Sequence, residues 1–206
     1  MQGSAIRSLS DLVLDILVRM CRTRTNYWLE FVLDTVLGIS FLVVGLQHHV
    51  RPLAAVSLIG FGLFLFSFFE YCFHRWLFHG SLRLMAQGHA AHHGNPLGYD
   101  SLPFFFPAMA LFALIGICDI AMPLGDGLLL VSGAAFGYVA YGLSHFMIHH
   151  VRFRQPLIRR WAAYHHIHHY HPNRNYGVTT PLWDILLRTR YASAHNLARP
   201  RPSHPS

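Results

Sequence analysis

Four long apolar stretches divide the chain, and the sequence between and after them is polar and dense in histidine. The stretches are Tyr27–Leu46, Leu53–Phe69, Leu102–Ala121 and Leu128–Phe146. As helices, extended where needed by flanking residues, each reaches across a hydrocarbon core of roughly 30 Å. Ahead of them, Leu9, Leu12, Val13, Ile16, Leu17 and Met20 recur at helical spacing. This predicts an amphipathic helix over residues 9–22, lying on a membrane surface or packed on the protein's own core. Tyr27 and Trp28 suit a membrane interface, and Glu30 and Asp34 fall in the first two turns of the first span, where carboxylates stay near headgroups. Pro52 introduces the second span, which ends at Glu70, where the histidines begin. Pro103 and Pro107 sit in the early turns of the third, and Pro123–Gly127 predicts a tight turn before the fourth. The fourth is rich in Gly and Ala, which lets membrane helices approach closely. Residues 80–101 read as a loop around a short helix, residues 150–191 as a polar cap, and residues 1–8 as loose. The Ala/Arg/Pro/Ser-rich stretch 192–206 predicts a disordered tail. The fold class expected is all-α: one membrane-embedded domain over residues 1–191, with about four transmembrane helices and a histidine-rich helical cap.

Charge sharpens this picture. Of 206 residues, 53% are hydrophobic and 12% charged, against about 25% charged in ordinary globular chains. All 16 basic residues are arginine. The turns at 47–52 and 122–127 hold only Arg51, so the other arginines lie on one side of a four-span bundle. The excess of arginine marks that side as cytoplasmic, with both termini and the histidine-rich segments on it, and His48 and His49 opposite. The formal charge of +7 then matches anionic lipid. No basic motif with stacking aromatics supports nucleic-acid binding. Cys21, Cys72 and Cys118 are far apart with no C-x-x-C, so neither a disulfide framework nor a cysteine zinc site is read. Asp11 and Asp15 interrupt the first apolar run, which argues against a secretory signal.

The histidines form four patterns: His74 and His79 as H-x4-H, His89, His92 and His93 as H-x2-H-H, His145 and His149 as H-x3-H, and His165, His168 and His169 as a second H-x2-H-H. On a helix, positions i, i+3 and i+4 share a face, so each H-x2-H-H set projects three imidazoles together. His145 and His149 are one turn apart, on a face with Tyr138 and Tyr141. His74 and His79 would diverge by about 140° on a straight helix, so the helix ends between them or bulges; Gly80 and Ser81 favour an ending. Neutral imidazole is the commonest metal ligand near neutral pH. Ten such ligands exceed the four or so that one ion takes, which points to two metals with open positions. Glu70, one turn before His74, reads either as a carboxylate orienting an imidazole through its far N–H or as a surface ion pair with Arg75 or another arginine. His150, His166 and His171 fall outside the patterns. Imidazole suits zinc as well as iron.

The runs EYCFHRWLFH, GHAAHH, SHFMIHH and YHHIHHYHPNRNYGVTTPLWD resemble the integral-membrane fatty acid hydroxylase superfamily. The last is most similar to fatty acid 2-hydroxylases, with Gly177, Val178, Thr179, Trp183 and Asp184 as the G-V-T-x-x-x-W-D element. The resemblance implies a di-iron, O2-dependent monooxygenase acting on a lipid acyl chain, with the ten patterned histidines as ligands and no catalytic group beyond the metal site. It places Tyr141, Tyr164, Thr179 and Asp184, with Glu70, just behind the ligands. Zinc can replace iron in a recombinant preparation. Phe64, Phe66, Phe68, Phe69, Phe104, Phe105 and Phe106 are candidates to line the acyl path. Several relatives carry a fused b-type cytochrome with an H-P-G-G motif. This sequence has none, which implies a separate electron donor, a b-type cytochrome or a ferredoxin with its reductase. A sterol or carotenoid hydroxylase or desaturase on the same scaffold is the enzymatic alternative. A metal transporter or sensor fits less well, because transport needs polar ligands along the crossing and these histidines gather on one side.

Overall fold

The computed structural model describes residues 9–48 and 51–192. All regular structure among them is helical: α1 (Leu9–Cys21), α2 (Arg24–Gln47), α3 (Pro52–Cys72), α4 (Arg83–Gly94), α5 (Phe105–Ala121), α6 (Leu124–His150), α7 (Pro156–Tyr170) and α8 (Leu182–Leu186). A π-helical turn, Phe73–Phe78, continues α3. The residues 1–8, His49 and nearly all of the 192–206 tail lie outside the described residues.

Three helices, Arg24–Gln47, Pro52–Phe78 and Leu124–His150, are long and apolar enough to cross a membrane; α5 is apolar but shorter. Each of the three outruns its sequence-predicted span. Apolarity marks only the lipid-facing length, whereas helical hydrogen bonding continues into the polar cap. The predicted turn at Pro123–Gly127, at the end away from the cap, is also mostly helix, since α6 begins at Leu124. Pro123 occupies the N-cap of α6, ahead of the positions where a missing N–H matters.

Helix α6 is the centre, packed by α2, α3 and α5. Of its apolar span 56% is buried, against 28% for α2 and 11% for Pro52–Phe78, so α6 meets protein where the others meet lipid. Small residues bring this about. A Cβ on Gly62 would stand 2.0 Å from the Leu130 carbonyl oxygen, and one on Gly133 2.2 Å from that of Ile59. The α3 and α6 backbones are in contact, which is how membrane helices gain packing without a hydrophobic driving force. At the other end Gly125 lies against His48, whose Cβ would be 2.4 Å from an added methyl. His48 thus sits by the start of α6, and His145 and His149 by its end.

The cap is tied on by side chains. Asn26, at the start of α2, donates to Ser101 Oγ (2.8 Å) and the Leu102 carbonyl (2.7 Å) and accepts from Phe104 N–H (3.0 Å). Trp183 of α8 donates to Ser67 Oγ on α3 (3.0 Å). Replacing Gly133 with Ala is expected to lower stability in detergent by about 1–3 kcal/mol through overpacking. Gly60→Ala, where a methyl meets nothing within 4 Å, should leave the thermal midpoint unchanged or slightly raised. Equal midpoints for the two variants would refute the close α3–α6 crossing.

Candidate metal centre

The structure gathers all ten patterned histidines into two groups of five. His74, His79, His89, His93 and His168 form one; His92, His145, His149, His165 and His169 form the other, with the ligating atoms of a group within 4.8 Å of one another. The π-turn and its C-cap give His74 and His79 to the first group, and α6 gives His145 and His149 to the second. Helices α4 and α7 lie between and divide theirs. On α4, His89 and His93 face one group and His92 the other. On α7, His168 faces the first and His165 and His169 the second.

His74 and His79 meet through a π-bulge that also ends the helix, His74 within the Phe73–Phe78 turn and His79 as its C-cap. His79 N–H donates to the His74 carbonyl at 3.3 Å, the i+5 bond of a π-helix, which stacks residues five apart on one face. The rings are nearly parallel, with centroids 5.4 Å apart. Gly80 then permits the tight exit, since a Cβ there would lie 1.9 Å from the Trp76 carbonyl oxygen.

The first group suits a metal by its nitrogen geometry. His89 Nε2 stands 3.0 Å from the Nε2 atoms of His74, His79 and His93, and His79 Nε2 stands 3.0 Å from that of His168. The far nitrogens of His74 and His168 face the carbonyls of Tyr176 and, at 2.7 Å, Arg174. A carbonyl only accepts, so these Nδ1 atoms carry the protons and the Nε2 atoms present lone pairs. His89 Nε2 carries at most one proton and cannot bond three neighbours at once. A cation satisfies them all. Nitrogens about 2.1 Å from an ion stand about 3.0 Å apart at right angles and about 3.4 Å apart at tetrahedral corners. The observed 3.0 Å spacings are ones that ligands of a single ion adopt. In the second group, His165 and His169 Nε2 are 3.2 Å apart, and His92 and His149 Nε2 are buried without hydrogen-bond partners among the described residues. The groups adjoin, His93 stacking on His169 at 4.4 Å. The residues present fit two metal ions, and their identity is not given by imidazole chemistry alone.

Burial holds the imidazoles neutral. It pushes His92 and His168 down to about 3, His169 to about 2 and His79 to about 4, with neighbouring imidazoles adding repulsion, and it lowers His89 and His165 as well.

The groups behind the histidines act through one loop. Asp184 is fully buried and accepts from Tyr176 N–H (2.9 Å), Gly177 N–H (2.7 Å) and Thr189 Oγ1 (2.6 Å). Glu70 accepts from the N–H groups of Val178 (2.6 Å) and Thr179 (2.9 Å) and from the Thr179 hydroxyl. This corrects the expectation that Glu70 bonds an imidazole or pairs with Arg75. It holds the 176–179 loop, whose Tyr176 carbonyl orients His74, while Arg75 bonds the Tyr71 hydroxyl at 2.8 Å. Tyr141 stacks on His145, 5.8 Å between centroids and 9° between planes. Tyr164 is linked to the same loop, its carbonyl accepting from Asn175 Nδ2 at 3.1 Å. Burial, then the Asp184 charge, pushes its phenol up. His166 is exposed beside His149, His150 stacks on Phe146 and His171 on Tyr191.

A cavity between α1, α2, α4 and α6 borders the centre, with His89, His92 and His145 in its wall. Glu30 and Asp34 also line it and are 5% and 1% exposed. They turn inward, not toward headgroups as the sequence suggested. Two acids one turn apart in an apolar span were the available signal. None of the seven candidate phenylalanines borders this cavity; Phe31 and Phe78 do. Phe64 and Phe68 instead pack on Trp183.

Two outcomes are expected. Asp184→Ala frees the loop behind His74 and should weaken metal binding 10–100-fold, measured by competition with a chelator; unchanged affinity would detach the loop from the centre. The metal-free protein should lose stability on acidification. Between the lowered folded values and the unfolded value near 6.5 the unfolded chain binds more protons, so stability rises with pH across that window and levels off above it. A thermal midpoint that is flat from pH 7.5 to 5 would contradict buried neutral imidazoles.

The fatty acid hydroxylase family model matches residues 59–189, more than half of the chain. The chain is 30% identical over 145 residues to dihydroceramide fatty acyl 2-hydroxylase FAH1 of Arabidopsis thaliana, a match spanning 65% of this chain and 60% of that one. It is also 30% identical to the fatty acid 2-hydroxylase of Homo sapiens, over 62% of this chain and 38% of the relative. It therefore spans less than two thirds of these relatives' lengths. The solved structure of full-length scs7p, in which only the hydroxylase domain is visible, superposes with a TM-score of 0.73 at 25% identity, covering 84% of this chain and 69% of that one. By the span of the family match and the shared architecture, this chain belongs to the fatty acid hydroxylase family.

Proposed function

We propose that the chain is an O2-dependent membrane monooxygenase that hydroxylates a lipid acyl chain at the carbon next to the carbonyl. The observation that carries this reading is the pair of adjoining five-imidazole groups bordering one cavity. The reaction balances as C–H plus O2, two electrons and two protons giving C–OH and water. His74, His79, His89, His93 and His168 would hold one iron, and His92, His145, His149, His165 and His169 the other. Bound there, the irons would supply reductive activation of O2 and removal of hydrogen from an unactivated C–H. The protein's own part is positional. The Tyr176 and Arg174 carbonyls keep two imidazoles in the ligating tautomer. Glu70, Thr179 and Asp184 hold the loop that carries the first of them. Burial keeps the ligands unprotonated, and the cavity shields the acyl chain from water. Tyr141 and Tyr164 pack behind the histidines. The 2-hydroxylase names of the relatives support the acyl 2-position. The arginine distribution supports a cap and termini on the cytoplasmic side, where a b-type cytochrome or a ferredoxin with its reductase would deliver electrons.

The test is expression in a host with its own lipids under 18O2, followed by mass spectrometry of the acyl chains. Labelled hydroxyl at C2 is expected. It should vanish in His145→Ala and His168→Ala, with bound metal falling below two ions per chain while the protein still inserts. Label on another carbon, or only on an added sterol or carotenoid, would overturn the 2-hydroxylase assignment. Full activity in either variant would remove that histidine from the ligand set.

A further inference from the structure

The loop behind the first group of histidines turns on a residue that the histidine patterns do not mark. Among the described residues, Asn175 (φ 56°) and Arg188 (φ 57°) have positive φ, and no glycine does. Gly177, two residues on, could take that left-handed conformation without strain. Its missing Cβ serves a close approach instead, since a methyl there would stand 2.1 Å from the Thr180 carbonyl oxygen. The left-handed backbone falls on Asn175, a side chain that tolerates it by bonding nearby groups. Asn175 is 1% exposed. Its N–H donates to the Thr189 carbonyl (3.1 Å), its Nδ2 donates to the Tyr164 carbonyl (3.1 Å), and its Oδ1 accepts from Tyr191 N–H (2.7 Å). The amide thus pins this backbone between α7 and the segment after α8.

The flanking carbonyls give the placement its meaning. That of Arg174 accepts from His168 Nδ1 at 2.7 Å and that of Tyr176 from His74 Nδ1, and both imidazoles belong to the first group. Carbonyls two residues apart on an extended chain point the same way but stand about 7 Å apart. The rings of His74 and His168 have centroids 4.3 Å apart. A left-handed residue between the two carbonyls shortens that step. The second group is held differently: the Nδ1 atoms of His165 and His169 are buried with no hydrogen-bond partner among the described residues. We propose that Asn175 is a positioning residue for the first metal ion. Its left-handed backbone aims two carbonyls at two ligands of one ion, and its side-chain amide locks that backbone in place. This rests on the two-metal reading of the histidines and not on the reaction assigned to them. His74 and His168 are then set as a pair by one backbone dihedral, while the second ion is indifferent to it.

The test measures zinc affinity of the purified full chain in detergent, by competition with a chelator that resolves the two ions, with thermal midpoints taken alongside. Asn175→Gly loses the amide's bonds but takes positive φ freely, whereas Asn175→Val loses the same bonds and resists it. Both midpoints should fall. The glycine variant should keep both affinities within about threefold of the unaltered protein, while the valine variant should lose about 10–100-fold at one ion and nothing at the other. In the His145→Ala background, which cripples the second group, the valine substitution should weaken the ion that remains. Should the valine variant fail to insert, Asn175→Ala takes its place, and binding at least about fivefold weaker than in the glycine variant is expected at one ion. A merely structural asparagine would lower the midpoint without choosing between the ions, and glycine would rescue nothing. Equal zinc affinities in the glycine variant and in the valine or alanine variant overturn the proposal, as does a loss shared by both ions. An unaltered protein that binds no zinc overturns the metal centre itself, and this inference with it. No readout here needs turnover, so absence of labelled product would count against the hydroxylase reading alone.

Discussion

Lone-pair repulsion is the constraint on which this architecture turns. Ten uncharged imidazoles point their nitrogens at two small volumes, some of them 3.0 Å apart. Such an arrangement holds together only when the backbone forces it and a cation rewards it. Each supporting feature supplies part of that force: the π-turn that overlays His74 and His79, the stacking of Tyr141 on His145, and the carbonyls of Tyr176 and Arg174 that fix tautomers. Burial serves the same end by keeping protons off the ligands, which must be neutral to bind metal.

The bundle beneath is organised so that these parts meet. Helix α6 is central because glycine lets α3 touch its backbone. That contact brings the end of α3, with its π-turn, beside the end of α6. The loop after α7 is drawn down by two buried acids that pair with no arginine among the described residues. Asp184 and Glu70 are satisfied by backbone N–H groups and threonine hydroxyls. Charge there is balanced by dipoles already ordered by the fold, the form in which a buried carboxylate is tolerable.

Two readings of acids in this chain went astray for one reason. Glu70 seemed aimed at His74 because it lies one turn away, yet its carboxylate reaches the opposite segment near Val178. Glu30 and Asp34 seemed bound for the headgroups because they lie early in a span, yet α6 and the loop at Ser101 enclose them. Sequence spacing reports neighbours along one helix. It is silent about which other element approaches that face.

What the sequence by itself determined is whatever depends on local periodicity and composition: helical class, the apolar spans, the ten histidines and their placement at one end of the bundle. Those follow from hydrogen bonding within a helix and from the cost of polar groups in lipid, neither of which needs a partner element. Only the tertiary structure decided how the histidines divide, because α4 and α7 each lie between the groups and turn one face to both. It alone combined a bulge with the helix ending between His74 and His79, since the gain from placing both rings in one group comes from His89 and His168 on other helices. And it alone turned the α2 carboxyls inward, because burial belongs to the packed whole and not to the helix that carries them.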